Sequence, residues 1–510
     1  MSQQPQPSPE HESSDESQKS KDAAALPNRS SPRWLVFLKP KVGIPLAIMI
    51  VLVSIPLGIR SWRLSSLPPI DEPFDVEAFC SVTIPDEENA FVEYREAFAL
   101  FVADTATVEE WDSEDDLYRG RWKLAPTAFK AWISANARAT EKWLEGTKKP
   151  DAMAVPRDQL SYSNIWHANK ERAIARLAFM KAGRHLSRDE TASAWKLYHA
   201  IFRFTRHLSQ NASLQSRVWG IAIHAWTASE ILSWAGHPGT SASDLEHAMA
   251  VLARDYETMT PPFSDTLKHE HLVLEDCLNS FDYGSQVFDK NPLLNRAMIF
   301  LQAEPEFSAS LLDHVLKNQL QAVDNDLATR PAFVPGNQCL FDLAASPLRP
   351  ASGAELANLT LPNTMIDLIA GIPRLKHLLA GRDNERCFQA TMMAVLAVEH
   401  SVRLHGRFPE SLNECAAPSS VKAFSDPHQP VYKPLIFSTD GHFAVVYSIG
   451  LDGIDDSHSP KPSAEEERES WSLLRNSGGR FEGFRIPLWR PESDADVDEA
   501  AVVVPDNVQD

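Results

Sequence analysis

The sequence predicts a mainly α protein: antiparallel helical hairpins, solenoid-like, after one transmembrane helix, with a small C-terminal α+β module of one helix and a two- or three-stranded antiparallel sheet. Three observations predict it. Eighteen consecutive uncharged residues, Val42 to Ile59, form the longest apolar run. Apolar residues recur at helical spacing through the middle of the chain, broken by short Gly- and Pro-containing turns. After residue 430 the pattern changes to short alternating runs around an Asp-Gly turn signal.

At about 1.5 Å per residue the run Val42–Ile59 reaches about 27 Å, close to the hydrocarbon thickness of a bilayer. Pro45 falls in its first turn, where a missing N–H costs little. Trp34 and Trp62 flank it at interfacial positions. Arg29, Arg33, Lys39 and Lys41 precede it, whereas Arg60 and Arg63 are soon followed by Asp71, Glu72, Asp75 and Glu77. That asymmetry predicts a cytoplasmic N-terminus and an exoplasmic C-terminal body. A cleaved signal peptide fits less well, because 41 residues come first and no A-x-A site follows.

The remaining organisation follows from composition. Residues 1–33 are rich in Ser, Gln, Pro and Glu and cannot bury enough apolar surface to order themselves, so 1–41 is expected to be a disordered cytoplasmic tail. After the span (42–59) a Pro-rich linker covers 60–88, a helical domain 89–380, an α+β module 383–490 and an acidic tail 491–510. The net charge of -20 argues against nucleic acid as a partner, since phosphate neutralisation needs clustered Lys and Arg. The expected partners are the membrane, through Val42–Ile59, and proteins of unspecified kind. Cys80, Cys277, Cys339, Cys387 and Cys415 include no C-x-x-C and read first as buried small hydrophobes. An exoplasmic body would also permit a disulfide among them.

Within the helical middle, Asn164–Lys181 carries Ile174, Leu177 and Met180 on one face and is expected to stop at Gly183. Ser187 to Glu190 has the capping-box pattern before the next helix. That helix offers two stripes, Trp195/Tyr198/Phe202 and Leu197/Ile201/Phe204/Leu208, which implies neighbours on two sides. A third helix runs through Leu214, Trp219, Trp226 and Trp234 to Gly236, and Ser241 with Asp244 opens a fourth. Helix, short turn, helix packs as hairpins, although no 34-residue consensus repeats.

Chemistry is sparsely signalled. Lys268-His269-Glu270-His271, with Glu275 one turn on, is the nearest approach to a metal-ligand pattern. Zincins need H-E-x-x-H so that both imidazoles share a helical face, whereas His269 and His271 point about 200° apart. A surface pair between His271 and Glu275 is the expectation, and a metal-dependent hydrolase using His269, His271 and Glu275 the alternative. His199, His207 and His224 read as packed or edge histidines beside aromatics. Ser419-x-x-Lys422 matches S-x-x-K but lacks its S-D-N and K-T-G partners. No G-x-S-x-G, P-loop or G-x-G-x-x-G occurs, and no catalytic or cofactor-binding residue is nominated.

From Asn384 a long helix leads into H-G-R-F-P-E-S-L (405–412), D-P (426–427), a strand, Y-S-I-G-L-D-G (447–453) and D-D (455–456). This order resembles the globular part of the major pseudopilins of type II secretion. It also looks like large bacterial single-span membrane proteins with a helical middle, which Asn89–Phe98 and the Trp195–Trp234 helices resemble too. The likeness covers about 75 residues as motif, and departs from a true pseudopilin in having no prepilin leader near Asn384. It implies an α+β end and, as an alternative function, a component of a secretion or pilus-like apparatus. It further implies calcium at Asp452, Asp455 and Asp456, against which stands a plain solvated acidic turn. The leading expectation is a membrane-anchored envelope protein acting as a helical interaction scaffold.

Overall fold

The computed structural model describes residues 40–65, 69, 71–102, 127–161, 169–280, 292–324, 375–415, 424–427, 433–449, 472–475 and 481–487. Two units are distinguished, Met1–Ile59 and Arg60–Asp510. The described part of the first belongs to α1 (Pro40–Leu64). Its segment Ile44–Leu64, with a mean hydropathy of 2.0, is long and apolar enough to cross a membrane, and none of its apolar window is buried in the protein.

The second unit is mainly helical. It contains α2 (Val76–Cys80), α3 (Ala90–Leu100), α4 (Thr127–Ala135), α5 (Ala137–Gly146), α6 (Asn169–Leu186) and α7 (Thr191–His207). Then come α8 (Leu214–Gly236), α9 (Ala242–Met259), α10 (Phe263–Ser280), α11 (Pro292–Leu301), α12 (Glu306–Val323) and α13 (Leu375–His405). Local chemistry sets several of these ends. Asp75 caps α2 by accepting from Ala78 N, and Ser213 caps α8 by accepting from Ser216 N. Asn89 opens α3 and also ties it to residue 153, its Oδ1 accepting from Met153 N at 3.0 Å while its Nδ2 donates to Met153 O at 3.1 Å. The expected Ser241/Asp244 capping box is formed in both directions.

Two boundaries differ from expectation. α6 runs through Gly183 to Leu186, and it is Asp189, at φ 58°, that takes the left-handed conformation. The Ser187–Glu190 capping box does not form: Glu190 is the N-cap of α7 without a side-chain cap bond, and its carboxylate reaches back to His185. The turn is instead closed by backbone bonds, from Ser187 N to Gly183 O and from Glu190 N to His185 O, both 3.0 Å.

α6, α7 and α8 pack on successive neighbours, and α13 returns from over a hundred residues on to lie against α8 and α9. One hydrophobic cluster runs through these helices and into the sheet, from Tyr94 and Phe179 through Ile201 and Leu232 to Met392 and Val446. A smaller one joins Phe129, Trp132 and Ile133 to Leu177 and Met180. The two stripes read on α7 are buried, apart from half-buried Trp195, as expected of a helix with neighbours on two sides.

The sheet is antiparallel, in the order β1–β2–β4–β3, from β1 (Ile436–Thr439), β2 (Phe443–Tyr447), β3 (Ser472–Arg475) and β4 (Phe481–Pro487). It therefore has four strands where the sequence pattern suggested two or three. β3 is only four residues long, and its sequence, SLLR, has no clear polar–apolar alternation to signal a strand. The β1–β2 turn is the anticipated one: Gly441 sits at φ +89°, and the Asp440 carboxylate accepts from His442 N and Phe443 N at 2.8 Å each. α13 packs across β2 and β4.

Candidate functional site

The strongest concentration of polar chemistry lies where α7, α8 and α13 meet. Arg206 extends the Tyr198/Phe202 stripe of α7, and Arg217 lies on the buried stripe of α8 with His224, Ala228 and Ile231. Helical periodicity thus delivers two guanidiniums into the core. Glu385 of α13 receives both: Arg206 Nη1 donates to Oε1 at 2.5 Å and Arg217 Nη2 to Oε2 at 3.2 Å. Their remaining donors are partly used by Thr260 Oγ1 (3.2 Å) and by the carbonyls of Pro261 and Pro262 (3.2 Å each). Arg217 also lies 4.2 Å from the centre of the Phe263 ring.

Burial alone would raise the Glu385 carboxyl, but the two arginines and the hydrogen bond from Arg206 outweigh it and hold it at about 2. A carboxylate with each oxygen already taken by a guanidinium is a poor proton acceptor. This cluster is an ion triad that joins helices 168 and 179 residues apart. His224 beside it stays neutral, pushed down to about 3 by burial and by Arg206.

Two further histidines are likewise committed to the fold. His207 Nε2 lies 3.1 Å from Lys149 O, which assigns its proton there and leaves Nδ1 to accept from the Tyr94 hydroxyl at 2.6 Å. Burial and Arg203 push His207 down to about 3. His199 Nε2 is 2.7 Å from Asp255 Oδ2, which also accepts from Arg203 at 3.0 Å, and its ring stacks on Trp195. These three are packed or edge histidines, as expected.

The candidate metal pattern on α10 is arranged differently from expectation. His269 and His271 are both buried, and the nearest carboxylate to His271 is Asp313 of α12, at 3.4 Å from Nε2, in place of a surface pair with Glu275. Glu270 Oε2 accepts from Leu214 N at 3.1 Å, holding α10 to the start of α8. α10 is covered by α12 and by Phe74, whose ring meets His271 edge-on, so the face predicted to be wet is interior. Burial and then Arg157 hold His269 at about 4; burial alone does the same for His271. Among the described residues, no group of three His, Cys, Asp or Glu side chains is placed to share a metal ion.

His269 borders a cavity of about 20 Å3 lined also by Phe91, Leu160, Leu208, Asn211 and Ser213. That volume has room for about one water molecule and not for an organic substrate. Neither ring nitrogen of His269 has a hydrogen-bond partner among the described residues.

The motifs carrying the C-terminal resemblance do meet. Asp426 of the D-P pair is buried and accepts from Ser448 Oγ at 2.7 Å and from Ile449 N at 3.1 Å, tying that loop to the end of the Y-S-I-G strand. Asp452, Asp455 and Asp456, like Ser419, Lys422 and Cys339, lie outside the described residues. The other four cysteines are free thiols, Cys277, Cys387 and Cys415 buried and Cys80 half-buried. The Arg206–Glu385–Arg217 triad went unnoticed in the sequence, although charged residues on an otherwise apolar stripe were the available signal. No family model matches this sequence, and neither a curated protein nor a solved structure matches it.

Proposed function

We propose that this chain is a membrane-anchored envelope protein whose helical body is an interaction scaffold, with a cytoplasmic N-terminus and an exoplasmic body. The observation that carries it is the helix Ile44–Leu64, whose apolar window is unburied, followed by a large acidic body. Leaving that helix in water would cost about 25 cal/mol for each Å2 of apolar surface, so a lipid environment is its natural solvent. The consecutive packing of α6, α7 and α8 supports a solenoid-like stack of hairpins, an architecture that offers broad surfaces to protein partners. The Arg206–Glu385–Arg217 triad supports the same reading, because its charges are consumed in holding helices together.

Two measurements test it. The full chain should resist alkaline carbonate extraction from membranes, and a reporter fused after Ile70 should be active only outside the cytosol. Recovery in the soluble fraction, or a reporter active only inside the cell, would overturn the anchor or its orientation. Crosslinking in intact membranes should then recover a defined protein partner; turnover of a substrate by the purified chain with no such partner would overturn the scaffold.

A second reading, a component of a secretion or pilus-like apparatus, is favoured by the contact of Asp426 with Ser448 and Ile449, which unites the two motifs of the pseudopilin likeness. It predicts that deletion alters export or surface assembly; unchanged secretion removes it. Calcium at Asp452, Asp455 and Asp456 belongs to this reading and is tested by calorimetric titration of the purified protein.

A further inference from the structure

We propose that α11 is a second membrane contact: a short in-plane helix that lays Leu293, Ala297 and Phe300 into the boundary between phospholipid headgroups and acyl chains. The inference rests on the reading of Val42–Ile59 as a bilayer anchor. Leu293, Ala297 and Phe300 stand at i, i+4 and i+7, so they form one stripe along the helix. All three are exposed, Leu293 at 77% and Phe300 at 39%. An apolar stripe that the described residues leave uncovered needs another apolar medium.

What selects lipid as that medium is the attachment of this corner of the body to Arg60. Arg60 is the first residue after the apolar run, so it lies at the headgroup level wherever that run spans. Its Nη1 donates to Phe300 O at 2.9 Å, its Nη2 to Glu306 Oε1 at 2.6 Å, and its guanidinium lies 5.0 Å from the centre of the Phe300 ring. One helical turn on, Arg63 is buried, 4.4 Å from the centre of the Phe307 ring. The end of α11 and the start of α12 are thus fastened to the residues that follow the anchor. Phe300 cannot be far from the depth of Arg60. Exposed Arg296 stands between Leu293 and Phe300 in sequence, suited to phosphate oxygens, and Trp62 is exposed at 59%. A short helix of this kind would not hold a protein on a membrane alone. Beside an anchor it would restrict how the body tilts.

The test is photocrosslinking of the full chain reconstituted in phosphatidylcholine/phosphatidylglycerol vesicles. p-Benzoylphenylalanine replaces Met49 in the anchor, Leu293 on α11, or Asp189 in an exposed turn. Lipid adducts, read as mass shifts of the protein, should be abundant at 49 and several-fold more abundant at 293 than at 189. Adducts at 49 with 293 no better than 189 would overturn the inference while leaving the anchor standing. Protein adducts in place of lipid at 293 would overturn it in favour of a protein partner on this stripe. Absence of lipid adducts at 49 would remove the anchor itself and the inference with it. Adding Leu293→Glu to a chain probed at Ala297 should abolish the adducts formed there, whereas their persistence would show that the stripe does not enter the lipid.

Discussion

Glu385 shows how much depends on a single buried charge. Removing it leaves Arg206 and Arg217 in the core without their common counter-ion, so Glu385→Gln should cost about 3–5 kcal/mol, read as a shift in the denaturation midpoint. A triple replacement, Arg206→Met, Arg217→Leu and Glu385→Leu, removes the charges together and should cost less than the single one. If the single variant is the milder of the two, the triad is not the joint described above. His269 makes the opposite case. Its ring is buried with neither nitrogen paired among the described residues, a deficit worth about 1–3 kcal/mol. His269→Leu should therefore raise the thermal midpoint. A fall would mean that the ring holds something in the adjoining cavity, a single water being the species that fits.

Between α7 and α8, close approach is governed by an absent side chain. A Cβ on Gly220 of α8 would stand 2.9 Å from Thr205 O and 3.0 Å from Ser209 Oγ, against the end of α7. Since one of those contacts is backbone, the helices must separate to make room. Gly220→Ala should cost about 1–3 kcal/mol and Gly220→Val more, measured by chemical denaturation. Equal stability of all three would show that the α7–α8 crossing has slack. The elements themselves were largely legible in the sequence, because the signals of Ser241/Asp244, the α7 stripes and Asp440-Gly441 are local. What was not legible depended on distant partners. Arg206 and Arg217 looked like ordinary charges until α13 supplied Glu385 from a position 168 residues beyond Arg217. Likewise, His271 reads as half of a surface pair with Glu275 because nothing near it in the chain announces that α12 and Phe74 cover α10. Gly183 failed as a stop for a related reason: a glycine permits a left-handed turn without requiring one, and the backbone turned at Asp189.

For the protein as a whole, the same buried groups set how stability depends on pH, and they do not all act in one direction. His207 and His224 are held at about 3, and His269 and His271 at about 4, mainly by burial. In the unfolded chain each would take a proton near pH 6.5, so acidification below that value favours unfolding. Glu171 opposes them: burial pushes its carboxyl up to about 7, although the Glu171 backbone N–H and the Lys170 charge pull it down. Burial, with Glu275 and Glu72, likewise raises Asp313 to about 6. A raised carboxyl costs stability above its folded value, and the cost is relieved as pH falls toward the unfolded value near 4. Glu385, held at about 2 against burial by its two arginines, adds a stabilisation that is complete above pH 4.5 and lost below it. Between pH 7 and 4.5 four histidines therefore work against two carboxyls, and below 4.5 Glu385 joins the histidines. The thermal midpoint of the detergent-solubilised chain should fall from pH 6.5 to 4.5 and more steeply beneath. Glu171→Gln gives the sharper check. It removes a cost of about 3 kcal/mol at pH 8 and almost none at pH 4.5, so the variant should exceed the parent at pH 8 and converge with it in acid. Curves that stay parallel across that range would mean that Glu171 is ionised in the folded protein at neutral pH.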